Sequence, residues 1–328
     1  MLNQSHTSDA PAIPVTILAG FLGSGKTTLL NRILHDEHGL RMAVLVNDFG
    51  EVNIDAQLID GNQASEMISL PNGCICCTLF GSLVEVLLKL TRLAEPPEHI
   101  LIEASGVSQP HQISDILTVS DLQERLHLDG IITLVDAENV RKLSRVVMFI
   151  EGQLVDADII VLNKIDMVES DSVADLMAWI RESAPNARII PAAYADVPLS
   201  IVFGATAAGR EISPLVGEHD HDHTHHDLEF ETWLYSSDKP LAHDALLRTI
   251  EELPSSIYRG KGIVVLADRL NRRTIMQMVG KRIQFHDGGE WGDESKKTEL
   301  VFIGEPKTLS SDELSGFFDA CQADLADC

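Results

Sequence analysis

The stretch GFLGSGKT, from Gly20 to Thr27, decides how the rest of the sequence is interpreted. It fits the pattern G-x-x-x-x-G-K-[ST] at every fixed position, between the apolar run IPVTILAG and an amphipathic run that starts at Lys26. Glycines let backbone N–H groups turn inward around phosphates, and the N-terminus of a following helix favours anions. In this strand–loop–helix context, we expect Lys26 to reach the β- and γ-phosphates of a nucleotide and Thr27 to hold Mg²⁺.

Two further motifs follow strand-like runs. ILIEASG places Glu103 at the end of a buried strand, where it can hold a magnesium-bound water, and the Gly106 N–H can sense a γ-phosphate. NKID, from Asn163 to Asp166, follows the run DIIVL. The Asp166 carboxylate can accept both the N1–H and the 2-amino group of guanine, which adenine does not offer. The sequence therefore favours GTP over ATP.

The predicted nucleotide site has three catalytic residues and a larger set of contacts. Lys164 can lie along the base, and Asn163 can link loops. The catalytic residues are Lys26, Thr27 and Glu103. The predicted nucleotide contacts are Gly20, Gly23, Ser24, Gly25, Lys26, Thr27, Thr28, Gly106, Asn163, Lys164 and Asp166.

The hydrophobic periodicity predicts an α/β fold. Apolar runs at 13–20, 41–48, 99–105, 130–137, 157–164 and 187–193 alternate with helical patterns, which indicates a mostly parallel sheet covered on both faces. Beyond about Gly204 the rhythm changes, and short strands, one of them at 261–268, with helices at 242–253 and 310–326 predict a smaller α+β domain. Ser310 and Glu313 have the spacing of a capping box at the start of the last helix. We predict a flexible leader at 1–12, a P-loop GTPase domain at 13–203, a His-rich linker at 204–227 and the second domain at 228–328.

The composition narrows the function classes. The chain has 328 residues and a formal net charge of −25, which disfavours non-specific binding to nucleic acid or to acidic membranes. The sequence has no apolar run of membrane-spanning length and no basic signal region, so we expect a cytoplasmic protein. Thiols stay reduced in that compartment, so clustered cysteines indicate metal binding or catalysis rather than disulfides.

Three of the five cysteines lie within four positions, in the run PNGCICCTLF. Thiolates at Cys74, Cys76 and Cys77 would be soft ligands suited to Zn²⁺ or Cu(I), with a fourth position left for another ligand. The alternative is that these thiols are small buried hydrophobes. The preceding run NDFGEVNID suits a switch loop, in which Asp48, Glu51 and Asp55 are candidates for metal or water contacts; the alternative there is an exposed acidic turn.

A histidine-rich run, EHDHDHTHHD, lies in the predicted linker. Neutral imidazoles bind Zn²⁺, Ni²⁺ and Co²⁺, so this run can capture metal weakly at several positions. The alternative is a solvated linker of biased composition. Its histidines are His219, His221, His223, His225 and His226. His111, His243 and His286 stand apart and are interpreted as ordinary residues.

Taken in order, GFLGSGKTT, NDFGEVNID, NGCICC, IEASG and NKID resemble the CobW family of P-loop GTPases, and YRGKGIVVLAD and ELVFIG resemble that family's C-terminal domain. The resemblance covers nearly the whole chain. It implies a GTPase that binds zinc or cobalt at the cysteines and couples its GTP cycle to metal transfer into a client protein. Nickel is a further alternative, because the wider group has nickel-linked relatives.

Three function classes compete. The first is a slow GTPase and metallochaperone that uses GTP, Mg²⁺ and Zn²⁺ and serves a metal-requiring client, with a nucleotide-dependent homodimer as a further expectation. The second is a GTP-responsive metal buffer or sensor in which hydrolysis is incidental. The third, a P-loop kinase or ATPase, is disfavoured by NKID. The client, the physiological metal, the oligomeric state and the roles of Cys321 and Cys328 stay open.

Overall fold

The structure is a computed structural model that describes residues 12–35, 39–47, 66–70, 79–106, 108–141, 144–203, 230–292 and 295–323. Residues 1–11 of the predicted leader, most of the switch run, the three clustered cysteines and the histidine-rich run lie outside these ranges. Two sheets organise the described residues, one in the first two thirds of the chain and one in the last third.

The first sheet is entirely parallel, and its order is β3-β2-β4-β1-β5-β6-β7. Its strands are β1 (Ile13–Gly20), β2 (Met42–Asn47), β3 (Glu66–Leu70), β4 (His99–Glu103), β5 (Leu126–Asp136), β6 (Ile159–Asn163) and β7 (Arg188–Pro191). The helices of this part are α1 (Lys26–His35), α2 (Leu79–Leu90), α3 (Pro110–Leu117), α4 (Ser120–Gln123), α5 (Ser144–Val155), α6 (Ser170–Ser183) and α7 (Leu199–Phe203).

Apolar side chains cover both faces of this sheet. Leu18 of β1 packs in one cluster with Leu29 and Leu30 of α1, whereas its neighbour Ile17 packs in another with Leu87 of α2. Successive strand residues point to opposite faces, so a strand buried on both sides must be a continuous apolar run. The predicted α/β class with a mostly parallel sheet is confirmed.

The second sheet is antiparallel, with the order β11-β10-β9-β12-β8. Helices α8 and α9 supply Ile250 and Phe318 to a core that also holds Trp233 and Phe302 of the sheet. The smaller α+β part is therefore also confirmed. Its elements are β8 (Glu231–Ser237), α8 (His243–Glu252), β9 (Ile257–Val264), β10 (Arg272–Val279), β11 (Arg282–Glu290), β12 (Thr298–Gly304) and α9 (Ser311–Asp319).

The second sheet packs against the amino ends of the parallel strands. Arg259 of β9 forms a buried ion pair with Asp129, near the start of β5, and its Nη1 donates to the carbonyls of Ile201 and Val202 at 3.0 and 2.9 Å. Burial alone would raise the pKa of the Asp129 carboxyl, but the Arg259 guanidinium and the other neighbouring charges together hold that pKa below its usual range. This junction therefore depends on a charge pair that solvent does not screen.

A second ion pair and a close backbone contact extend this junction. Arg282 Nε donates to both carboxylate oxygens of Asp158, at 3.0 and 2.9 Å, and Ile131 N donates to Asp158 Oδ2 at 2.9 Å. Gly280 has φ +60°, and a Cβ there would lie 2.3 Å from the Asp158 carbonyl oxygen. The turn between β10 and β11 thus approaches the parallel sheet too closely for a side chain.

Two histidines meet at this junction. The rings of His127 and His286 are 4.5 Å apart between centroids, and His127 Nε2 lies 3.0 Å from Gln277 Oε1. Burial is the main reason that the pKa of His127 falls to about 4, and burial also lowers the pKa of His286. The sequence sets His286 apart from other histidines, but the fold brings it against His127 across the two sheets.

The polar residues of the junction also explain two strand boundaries. We expected strands at 130–137 and 261–268, but β5 begins at Leu126 and β9 at Ile257. His127, Asp129 and Arg259 interrupt the apolar pattern that marks a buried strand. Asp129 and Arg259 are buried, and His127 is partly buried, because the two sheets meet there. Strand β3 and helices α3, α4, α5 and α7 were not predicted.

Candidate functional site

The loop between β1 and α1 is shaped by glycines. Gly20, Gly23 and Gly25 have φ values of +136°, +76° and +108°, which L side chains rarely adopt. A Cβ at Gly25 would lie 2.3 Å from Asn163 Nδ2, and one at Gly20 would lie 2.4 Å from the Leu134 carbonyl oxygen. The loop is therefore pressed against the ends of β5 and β6, and α1 starts directly after it.

Lys26 lies across this loop. It is the first residue of α1, only 7% exposed, and its Nζ donates to the carbonyl oxygens of Gly20 at 2.8 Å and Phe21 at 3.3 Å. These contacts hold the ammonium group over the loop backbone, at the N-terminus of a helix. A cation beside a helix N-terminus is a setting in which phosphate groups bind.

The buried hydroxyl of Ser24 bears on whether a phosphate group fits inside the glycine loop. The residue is 1% exposed, and its Oγ has no hydrogen-bond partner among the residues that the structure describes. Buried hydroxyls without partners are uncommon because an unmet hydrogen bond is unfavourable. A hydroxyl donor inside a glycine loop matches the acceptor oxygens of a nucleotide phosphate, so the residues present fit the predicted ligand.

Glu103 and Gly106 lie beside the same loop. Glu103 ends β4, is 3% exposed and pairs in register with Leu18 of β1, and the next residue, Ala104, donates its N–H to the Leu18 carbonyl at 2.8 Å. A Cβ on Gly106 would lie 2.9 Å from Leu22 N. The structure thus brings the predicted acid and the predicted γ-phosphate sensor to the carboxyl edge of the sheet, next to the phosphate loop.

The donor set at this edge also suits magnesium. Mg²⁺ prefers hard oxygen ligands and usually binds through one or two protein oxygens together with substrate phosphates. Thr27, at the start of α1, and Glu103 supply a hydroxyl and a carboxylate of this kind. Bound there, the ion would neutralise charge on the phosphate oxygens.

Asn163 ties the phosphate loop to the base-recognition motif. Its Nδ2 donates to the Ser24 carbonyl at 2.8 Å, and its Oδ1 accepts from Ala195 N at 2.7 Å. Lys164 follows with φ +64°, and Asp166 lies exposed on the short 3-10 turn Ile165–Met167. The carboxylate of Asp166 is therefore presented to solvent near the loop rather than engaged in the core.

Asp136 is a site residue that the sequence interpretation missed. It ends β5 and accepts from Lys164 Nζ at 2.7 Å, from Asn139 Nδ2 at 3.0 Å and from Glu138 N at 2.9 Å. Partial burial alone would raise the pKa of its carboxyl, but the hydrogen bonds from Lys164 and Asn139 hold the pKa below its usual range. The available signal was an acid at a strand end in LVDA, the same signal that identified Glu103.

A cavity of about 250 Å³ opens between the phosphate loop and Asp136. Its lining includes Phe21, Gly23, Asp136, Val140 and Lys164. Apolar walls with a small number of polar groups are typical of small-molecule sites. The cavity joins the predicted phosphate and base contacts on one side of the loop.

The predicted metal ligands cannot be placed. Cys74, Cys76, Cys77, Glu51 and the five clustered histidines lie outside the described residues, as do Asp48 and Asp55. Within the described ranges, the structure has no group of three or more His, Cys, Asp or Glu side chains arranged to hold a metal ion. Cys321, which has no predicted role, is buried in the core of the second sheet, where burial raises the pKa of its thiol.

Comparison with known families identifies both halves of the chain. Residues 14–191 match the family described as CobW/HypB/UreG, nucleotide-binding domain. The chain belongs to the CobW/HypB/UreG family. Residues 230–322 match the family described as cobalamin synthesis protein cobW C-terminal domain. The resemblance to the CobW family expected from the motifs is confirmed.

Named relatives match this CobW-family chain over most of its length. Zinc chaperone CobW of Pseudomonas aeruginosa is 32% identical, over 89% of this chain and 88% of its own length. Zinc chaperone YjiA of Escherichia coli is also 32% identical, over 89% of this chain and 94% of its own. The crystal structure of Zn(II)-bound YjiA GTPase from E. coli has a TM-score of 0.47 and 26% identity, covering 96% of this chain and 100% of that one.

In the part of the chain that the structure describes, no helix is both long enough and apolar enough to cross a bilayer.

Proposed function

We propose that this protein binds and hydrolyses GTP at the carboxyl edge of the parallel sheet and uses the nucleotide to control the transfer of a metal ion. The observation that carries the nucleotide part is the glycine loop with Lys26 held across it and a buried, unpartnered hydroxyl at Ser24. Membership of the CobW/HypB/UreG family supports the same assignment.

In the proposed mechanism, each side chain has one task. Lys26 and the loop N–H groups bind the β- and γ-phosphates, and Thr27 with Glu103 holds Mg²⁺, which lowers the charge on the phosphates. The Gly106 N–H contacts the γ-phosphate. Turnover is slow, because the motifs contain neither an arginine finger nor a glutamine that positions the attacking water.

Guanine selection depends on the motif NKID. Asp166 accepts two hydrogen bonds from guanine, while Asp136 keeps the Lys164 ammonium beside the base. Replacing Asp166 with Ala removes two charge-assisted hydrogen bonds, so we expect GTP affinity to fall about tenfold or more, with no gain in ATP affinity. Titration of both nucleotides with this variant tests the assignment, and a rise in ATP binding to the level of GTP would contradict it.

The metal part of the proposal depends on the sequence and on the relatives. Three thiolates at Cys74, Cys76 and Cys77 suit Zn²⁺, with Co²⁺ and Ni²⁺ as alternatives, and relatives that match along most of the chain are named zinc chaperones. The histidine-rich run would capture the same ions weakly. A metal-requiring client protein receives the ion, and a nucleotide-dependent homodimer is part of the proposal.

The deciding experiment measures metal affinity in each nucleotide state. Zn²⁺ and Co²⁺ are titrated against a competing chelator with GDP and with a non-hydrolysable GTP analogue. The variants are Cys74→Ser/Cys76→Ser/Cys77→Ser and, as the matched thiol control, Cys328→Ser. We expect a nucleotide-dependent affinity that the triple variant loses and the control keeps.

Two outcomes would change the proposal. Equal metal affinity with GDP and with the analogue would remove the coupling and favour a metal buffer or sensor, in which hydrolysis is incidental. Equal affinity in the triple variant and in the wild type would remove the cysteines as the metal site. Stimulation of GTP turnover by a metal-free client separates the chaperone from the buffer.

A further inference from the structure

A fully buried glutamine connects helix α5 to the turn that carries Gly106. Gln153 is 0% exposed, and its Nε2 donates to the Ser108 carbonyl at 2.9 Å and approaches the Gly106 carbonyl at 3.5 Å. One side-chain amide therefore spans two carbonyl groups of the same turn.

The turn formed by Ser105, Gly106 and Ser108 has a fixed orientation. Ser108 N donates to the Ser105 carbonyl at 2.9 Å, and the two serine hydroxyls are 2.6 Å apart. In a trans peptide the carbonyl and the next N–H point in opposite directions, so the Gly106 N–H faces away from Ser108. Holding this turn in place therefore determines where the Gly106 N–H points.

The other side of Gly106 touches the phosphate loop. A Cβ there would lie 2.7 Å from Leu22 Cδ2 and 2.9 Å from Leu22 N. The turn is thus confined between Leu22 on one side and Gln153 on the other. A shift of the turn toward α5 would move Gly106 away from the phosphate loop.

Helix α5 is itself held close to the turn. A Cβ on Gly152 would lie 2.8 Å from Nε2 of Gln109, the residue after Ser108, so the helix passes close to that side chain. Thr133 Oγ1 of β5 donates to the Gln153 main-chain carbonyl at 3.5 Å, a long contact that links the helix to the sheet. The amide of Gln153 is therefore presented from a fixed helix.

Only the nitrogen of the Gln153 side-chain amide is hydrogen-bonded. Its Nε2 donates to the turn, whereas its Oε1 is buried and has no partner within the described ranges. An apolar side chain of similar size would avoid the penalty of an unmet acceptor, so packing alone does not favour glutamine here. The donor function toward the turn explains why an amide occupies this position.

We propose that Gln153 is a positioning residue for GTP, which sets the Gly106 turn so that its N–H meets the γ-phosphate. The inference rests on the proposed function, in which Gly106 contacts the γ-phosphate. Gln153 itself does not touch the nucleotide in this scheme. Its loss should weaken binding of a triphosphate and leave binding of a diphosphate unchanged.

The test compares Gln153→Met, which keeps the size and removes the donor, with Leu154→Ala, a buried neighbour on the same helix. Affinities for GDP and for a non-hydrolysable GTP analogue are measured, together with kcat, KM and the melting temperature. For Gln153→Met we expect an affinity for the GTP analogue about three- to tenfold lower and an unchanged GDP affinity, because the variant loses the hydrogen bond that positions the Gly106 turn. For Leu154→Ala we expect a lower melting temperature and an unchanged ratio of the two affinities.

The outcomes separate this inference from the proposed function. If the wild type binds neither nucleotide, the proposed function and the inference both fail. If the wild type binds both nucleotides and Gln153→Met keeps the wild-type ratio of analogue affinity to GDP affinity, only the inference fails. Should Gln153→Met be unfolded, Gln153→Asn decides, because it keeps the donor but withdraws it from the turn, and it should give an intermediate ratio.

Discussion

Two glycines of the phosphate loop differ in the space around them. At Gly25 an alanine would combine φ +108° with a Cβ 2.3 Å from Asn163 Nδ2, whereas at Gly23 the backbone has φ +76° and the space within 4 Å is open. We expect Gly25→Ala to abolish GTP binding and to lower the free energy of unfolding by about 3 kcal/mol or more, from strain and overlap together.

The matched variant is Gly23→Ala, which tests strain without overlap. We expect it to lower the free energy of unfolding by about 1–2 kcal/mol, the usual effect of a left-handed conformation in a residue with a Cβ. Urea unfolding and GTP titration measure both variants. Equal effects of the two substitutions would mean that the contact with Asn163 does not matter.

Asp136 gives a second prediction at the scale of a residue. Asp136→Asn keeps the shape but replaces the carboxylate that holds Lys164 Nζ at 2.7 Å with a neutral amide. The lysine then loses its charge-assisted partner beside the base, so we expect GTP and GDP affinities to fall together by about three- to tenfold. A fall confined to GTP would show instead that Asp136 acts at the γ-phosphate. Nucleotide titration distinguishes these results.

Helix α9 allows a test at the scale of an element. Ser310 accepts from Glu313 N at 3.2 Å and donates its N–H to Glu313 Oε2 at 2.8 Å, the reciprocal pair that the spacing of these residues predicted. Ser310→Ala should lower the free energy of unfolding by about 1 kcal/mol. Ser311→Ala, at the next and exposed position, should change it little. Thermal unfolding of both variants checks this, and equal losses would rule out the cap.

The elements that the sequence predicted are marked by a local apolar pattern or by a motif. Strand β1, helix α1 and the loop between them follow from continuous apolar residues and from glycines with a phosphate motif. Asp129 and Arg259, in contrast, are polar residues that become buried only because two sheets meet. Local patterns contain no information about a partner more than a hundred positions away, so the starts of β5 and β9 were misjudged.

The candidate site likewise contains residues that the sequence identified and residues that it did not. The contacts of Lys26, Asn163 and Glu103 depend on nearby loops at strand ends, and a motif identifies such residues. Asp136 and Gln153 contact other residues of the site: Asp136 accepts from Lys164 Nζ, and Gln153 donates to the Ser108 carbonyl. No short pattern marks such supporting residues, and only the folded chain shows what they hold.

The ion pair at the junction between the two sheets should affect the stability of the whole molecule. Arg259→Met would leave the Asp129 carboxylate buried and without its main partner, so we expect the free energy of unfolding to fall by about 3–5 kcal/mol. Asp129→Asn/Arg259→Met removes both charges and should recover much of that loss. Urea unfolding measures the pair, and a double variant as unstable as the single one would contradict the role of the ion pair.

The same junction makes stability depend on pH. Burial lowers the pKa of His99 from 6.5 to about 3 and, as the largest cause, that of His127 from 6.5 to about 4. Below about pH 6.5 the unfolded chain takes up protons that these folded imidazoles refuse, so the free energy of unfolding falls as the pH falls from 6.5 toward 4.

A substitution of His127 measures its contribution to the slope of the free energy of unfolding against pH. His127→Gln keeps a donor for Gln277 and removes the titration, so the slope between pH 6 and pH 4.5 should decrease by about 1.4 kcal/mol per pH unit. Lys261, Asp129 and His286 also act on this imidazole and remain in the variant. Urea unfolding at several pH values gives the slope, and an unchanged slope would show that His127 is protonated in the folded state.

The nucleotide loops and the second sheet occupy opposite edges of the parallel sheet. Strand β1 has 8 residues, which at about 3.3 Å per residue separates the two edges by roughly 25 Å. We therefore expect substitutions in the second sheet to leave the geometry of the candidate nucleotide site nearly unchanged. The second sheet is thus the part of the chain that protein engineering can alter while that site is kept.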